Sequence, residues 1–179
     1  MGCTAVRVPG IDSGPVATKP PPDLQLAPLP HAGKKPEPRP LEEWLTTFHL
    51  ASVVLDPYTN ESSWVLKTAA RVLEGFRGSD ARVNFVVTAN ADDARRFMGP
   101  LVERFLVFTD PDRAFVKAAG LATLPAFVFV RVDGEVFAAE GWDPATWTTI
   151  ADTIADTTSW STPDIPVVGD PHAFAGSPA

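Results

Sequence analysis

The stretch Gly120-Leu-Ala-Thr-Leu-Pro125-Ala-Phe-Val-Phe-Val-Arg-Val-Asp-Gly134-Glu-Val-Phe137 decides the reading of this chain. Two apolar runs, 126–132 and 135–139, flank Asp133-Gly134, a pair that suits a two-residue hairpin turn with positive φ. Immediately upstream, Asp110-Pro111 has the form of a helix start, with Asp as cap and Pro in the first turn, and Gly120 has the form of a helix stop. The segment therefore predicts helix, a Leu124-Pro125 corner, and then an antiparallel hairpin.

Working outward, residues 50–55, 83–88 and 105–108 are short apolar runs that predict strands. Residues 62–76 place Val65, Ala69, Val72, Leu73 and Phe76 on one helical face. Helices are also expected at 41–48, at 91–98 with a stop at Gly99-Pro100, and at 146–156. Strands alternating with helices predict an α/β layer structure containing parallel strands. The domain expected from this pattern spans 41–156.

Its flanks have a different composition. Residues 1–40 hold more than half of the 19 prolines, including Pro20-Pro21-Pro22, and predict an extended, polyproline-like arm. Residues 157–179 are rich in Ser, Thr, Pro and Gly and predict a second disordered or extended tail. Both flanks carry apolar residues that a spacer does not need: Leu24, Leu26, Leu29, Ile165 and Val167. Two readings follow, a solvated tail or a segment that orders on a partner.

At 179 residues the chain is one domain with appendages, and no stretch approaches the roughly 18 apolar residues of a membrane span. A net charge of −7 without clustered Lys or Arg argues against nucleic acid as a partner. The only cysteine is Cys3, so no internal disulfide forms, a usage that suits the cytoplasm. Val6 departs from the myristoylation pattern, and no apolar run precedes Cys3. A lipid anchor at Cys3, with an extracytoplasmic tethered location, would require a longer precursor. His31, His49 and His172 are scattered, and neither a metal site nor a cofactor is indicated.

At Leu124-Pro125 the chain resembles the thioredoxin superfamily, in which a Pro stands before the hairpin, usually with a cis peptide bond, against the active-site loop. The unit Asn84-Phe-Val-Val-Thr88, helix 91–98 and Phe105-Leu-Val-Phe-Thr-Asp110-Pro111-Asp112 is similar to the TlpA and peroxiredoxin branch. The resemblance covers roughly residues 45–156. It implies a central mixed sheet flanked by helices, with reactive thiols near Glu61 to Trp64. No cysteine stands there, and neither Ser62, Ser63 nor Glu61 replaces a thiolate in disulfide exchange or peroxide reduction.

The resemblance also implies a groove for extended peptides along Thr123, Leu124 and Pro125, flanked by the loop of Tyr58, Glu61, Ser62 and Ser63 and by Trp142. Trp142 has two readings, a binding hot spot or a core residue packed on Trp147 or Phe137. Trp64 reads as core or helix-start packing. The expectation from sequence is a redox-inactive protein-interaction module, an accessory or assembly subunit of a larger complex. The alternatives are an oxidoreductase acting through Cys3 or a partner thiol, and a peptide-binding maturation chaperone.

Overall fold

The computed structural model describes residues 19–30, 33 and 35–179, so Cys3 and His31 lie outside the described residues. In chain order the elements are β1 Gln25–Pro28, β2 Arg39–Pro40, α1 Leu41–Trp44, β3 His49–Leu55, α2 Asn60–Glu74, β4 Ala81–Val87 and α3 Ala91–Met98. They continue as β5 Leu106–Thr109, α4 Ala114–Ala118, β6 Thr123–Leu124, β7 Ala126–Val130, β8 Val136–Glu140, α5 Pro144–Thr158 and β9 Ser177–Pro178.

Seven strands form one mixed sheet in the order β2-β1-β5-β4-β3-β7-β8. The middle strands β3, β4 and β5 are parallel, while β7 and β8 are antiparallel. Central strand β3 is buried along Leu50–Leu55 because helices cover both faces of the sheet. Its alternating side chains feed two cores. Ala51, Val53 and Leu55 meet Val65 and Leu73 of α2 and Ile150 and Ile154 of α5. Leu50 and Val54 meet Leu41 of α1 and Phe115 and Val116 of α4.

Three local expectations change. The hairpin turn is a three-residue loop: the Gly134 N–H donates to Arg131 O at 2.8 Å, the Arg131 N–H donates to Glu135 O, and Gly134 alone has positive φ, +84°. That is a turn followed by a bulge glycine. Helix α4 starts at Ala114 rather than at Pro111, because Arg113 adopts φ 57°. The Asp110 carboxylate instead reaches forward to accept the N–H groups of Phe115 and Val116 at 3.1 and 3.2 Å. Helix α1 is a single turn and ends at Trp44.

The flanks also differ from extended arms where they are described. Strand β1 pairs antiparallel with β5, placing Ala27 opposite Thr109 and Pro28 opposite Phe108. Leu26 enters the core with Leu41 and Phe108, and Leu29 enters the opposite core with Val107. These leucines alternate faces like any half-buried strand, which outweighs the surrounding prolines. Pro28 ends its strand and Pro40 lies in the outermost strand, where a missing N–H costs little. At the other end, residues after α5 lie back across the domain rather than leaving it. Asp164 O accepts from Arg71 at 2.7 Å, and Asp170 bonds Thr68 at 2.8 Å and Arg71 at 2.7 Å.

Candidate functional site

The candidate site lies where β3 ends and α2 begins. Asp56 follows Leu55 and is buried, with its carboxylate accepting the Tyr58 N–H and an Arg113 Nη2 donor, both at 2.9 Å. The Asp56 N–H in turn donates to Ser62 Oγ at 2.9 Å, and the Thr59 hydroxyl donates to Asp56 O at 3.0 Å. These bonds fold residues 56–62 onto themselves and set the start of α2. Glu61 lies in the first turn of α2, where a negative charge is favourable.

This geometry answers the question of chemistry at the loop. Ser62 is fully buried and its oxygen holds the Asp56 amide, so it is not presented to a substrate. Ser63 is exposed, one position further along α2. Tyr58 is 66% exposed, and its hydroxyl donates to Asp93 Oδ2 at 2.6 Å, a bond that raises the phenol above its ordinary value. Asp110, buried near this end of the sheet, is raised above the usual carboxylate range by burial, against the opposing effect of its amide donors. Trp64 is 57% exposed, contrary to core or helix-start packing, because it faces away from the buried stripe of Val65, Ala69, Val72 and Leu73.

On the other side of the site, the Leu124-Pro125 peptide is cis and Leu124 is fully buried. Glu140 accepts the N–H groups of Ala122 and Thr123, the latter at 2.8 Å, which ties this corner to the end of β8. Strand β6 then presents one edge, and that edge is taken. Strand β9 pairs with it antiparallel, Thr123 opposite Pro178 and Leu124 opposite Ser177. The Ala179 N–H donates to Ala122 O at 2.9 Å.

Trp142 links the two sides. Its ring is fully buried, edge-on to Trp147 at 4.9 Å, which is the core-packing alternative of the two sequence readings. Its indole N–H donates to Pro171 O at 2.8 Å, and its backbone exchanges hydrogen bonds with Phe174 at 2.8 and 2.9 Å. The Phe174 ring stands edge-on to Trp64 at 5.7 Å. Residues 171–179 therefore run from Trp142 past Trp64 to the Thr123–Leu124 edge. Sequence reading missed this segment and missed Arg113. The local hints were Phe174 and Gly176, in a tail that also carries Ile165 and Val167, and a cation two positions after Pro111.

No protein-family model and no curated protein sequence matches the chain. Among solved structures, the chain superimposes on DsbF of Mycobacterium tuberculosis in its mixed oxidized and reduced forms. The TM-score is 0.59 at 16% identity, covering 76% of this chain and 96% of that one. The fold is thioredoxin-like. A putative thiol:disulfide interchange protein DsbE from Chlorobium tepidum aligns at TM-score 0.59 and 15% identity, over 78% of this chain and 97% of that one. The bacterioferritin comigratory protein of Xanthomonas campestris aligns at 0.57 and 14%, over 79% and 92%. At such identities the likeness is one of fold. This thioredoxin-like chain carries one cysteine and no Cys-x-x-Cys pair. Among the described residues no helix is long and apolar enough to cross a membrane.

Proposed function

We propose that this chain is a redox-inactive protein-interaction module, serving as an accessory or assembly subunit of a larger complex. The observation that carries the reading is the bonding of the loop at residues 56–64. It holds no thiol, its one buried hydroxyl is committed to a backbone amide, and its two large aromatics, Tyr58 and Trp64, face outward. Outward aromatics on a scaffold fixed by hydrogen bonds are the residue types that dominate protein interfaces. The partner-binding face in this proposal comprises Tyr58, Glu61, Ser63 and Trp64, with Thr123, Leu124 and Pro125 forming the adjoining groove.

The test has two arms. The full chain is expected to show no turnover in insulin-disulfide reduction or hydroperoxide consumption. Affinity capture from native extract should retain a defined assembly that the Tyr58→Ala/Trp64→Ala double variant loses, with little change in unfolding midpoint, as expected for exposed positions. Retention of the same assembly by the double variant would overturn the proposed face.

A second reading rests on the structural neighbours, among which are a secreted disulfide oxidoreductase and a putative thiol:disulfide interchange protein. In it the chain works on thiols through Cys3 or a partner's cysteine. An ordinary thiol near pKa 8.5 is mostly protonated at neutral pH and reacts slowly. Turnover that the Cys3→Ser variant abolishes would establish this reading in place of the first. A maturation chaperone is the version of the module in which the groove, rather than the loop, does the binding.

A further inference from the structure

The groove beside Pro125 is already occupied, and its occupant is built unevenly. The root of the C-terminal segment is held firmly: Trp160 Nε1 bonds Gly75 O at 2.8 Å, Arg71 bonds both Asp164 O and the Asp170 carboxylate, and Pro171 O accepts from Trp142. Beyond it, His172 and Ala173 are exposed. The tip after them is attached by the Trp142–Phe174 backbone pair, the short β6–β9 pairing and the Ala179 N–H, with Phe174 half-buried and no other large apolar side chain. Such a two-residue strand contributes little stability by itself.

The fit is nevertheless specific. Gly176 has φ +89°, and a Cβ there would stand 2.7 Å from Leu124 O. Gly141 has φ +73°, and a Cβ there would stand 2.6 Å from Ala175 O. The groove thus takes an extended backbone at close range, with an aromatic ring over Trp64 and glycine two residues later, next to Leu124. That is strand addition with a defined side-chain pattern.

We propose that residues 172–179 are an internal competitor for this groove, and that its ligand is an extended peptide of the pattern aromatic–small–glycine, which displaces the tip while the root stays in place. This rests on reading the chain as a protein-interaction module and adds the ligand class and its regulation. A tethered strand acts at an effective concentration in the millimolar range, so it suppresses a free peptide of similar intrinsic affinity by about tenfold or more. Exchange needs no covalent step, only the breaking and remaking of the backbone bonds at Phe174, Ser177 and Ala179.

The probe is a fluorescein-labelled peptide of residues 173–179, Ala-Phe-Ala-Gly-Ser-Pro-Ala, titrated by anisotropy. Three proteins are compared: the full chain, a chain ending at His172, and a full-length Gly176→Val variant whose tip the Leu124 carbonyl rejects. The two altered proteins are expected to bind at least about tenfold tighter than the full chain, and a peptide carrying the same Gly176→Val change should bind none of them. Equal affinity across all three, or no binding to either altered protein, would overturn the proposal. Should the shortened chain fail to fold, the Gly176→Val protein gives the decision alone. Because Tyr58 lies outside the strand contact, loss of an assembly in the Tyr58→Ala variant while the peptide fails to bind would sink this inference and leave the module reading standing.

Discussion

The two flanks of the domain share a proline-rich composition and attach to it by different physics. The N-terminal flank puts Leu26 and Leu29 into opposite cores, at 3% and 7% exposure, and adds a strand to the main sheet. In residues 160–179 no apolar side chain is fully buried: Ile165 and Phe174 pack half-buried against the core, and the rest of the attachment is hydrogen bonds and one ion pair. Buried apolar area makes a segment part of the fold, whereas hydrogen bonds exchanged with water net only about 1 kcal/mol each. The first flank is architecture and the second can be exchanged.

The sharpest way to break this contrast is at Trp142, where the C-terminal flank meets the core. Trp142→Ala should cost about 3–5 kcal/mol, the range for a fully buried aromatic. A loss under about 1.5 kcal/mol in denaturant unfolding would mean that the core beneath the tail is loose and the contrast is misplaced. Next in size, Leu26→Ala should cost about 2–4 kcal/mol by the same measurement. If it costs no more than a surface change, β1 is an appendage after all.

Asp170→Ala should cost about 1–3 kcal/mol, because Arg71 and Thr68 lose a shielded acceptor; the Asp170 side chain is 6% exposed. The same variant should speed amide exchange at Phe174 and leave Leu29 unaffected. Deleting residues 173–179 should cost the least, under about 1.5 kcal/mol, since it removes a few hydrogen bonds and one half-buried ring. A pH experiment sharpens the N-terminal side, whose Leu26 packs in the core that also holds Phe115 and Val116. Burial raises the folded-state pKa of Asp110, so its contribution is fully present below the ordinary carboxylate range and is lost as pH rises through the raised value. Replacing it by Asn should flatten the stability profile in that window. An unchanged profile would contradict the raised value.

Much of the sheet was legible because its strands are nearly uninterrupted apolar runs; α3 matches its expected span, 91–98, since Asn90 caps it and Gly99 turns it off with φ 55°. The start of α4 was not legible. Asp110 reaches five residues forward, and Arg113 turns left-handed to meet Asp56, a partner 57 positions away. The C-terminal strand was hidden for a related reason. Its pairing is made of backbone groups opposite Thr123 and Leu124, and composition carries no mark of which edge a backbone will find. Trp142 was half legible: the sequence supplied both Trp147 and the groove as neighbours, and the structure gives it Trp147 as a ring contact and, as a backbone pair, Phe174 of the segment that fills the groove.

Arg71 has one more consequence. Its planar fork spans Asp164 O and the Asp170 carboxylate at once, which a lysine point charge does not match, and so it pins both ends of the bulge that carries the fully exposed Val168. A pinned bulge resists being drawn into a protease cleft, while the exposed pair His172-Ala173 lies just beyond the pin. Limited digestion should therefore cut there first, and a single scission would open the groove irreversibly.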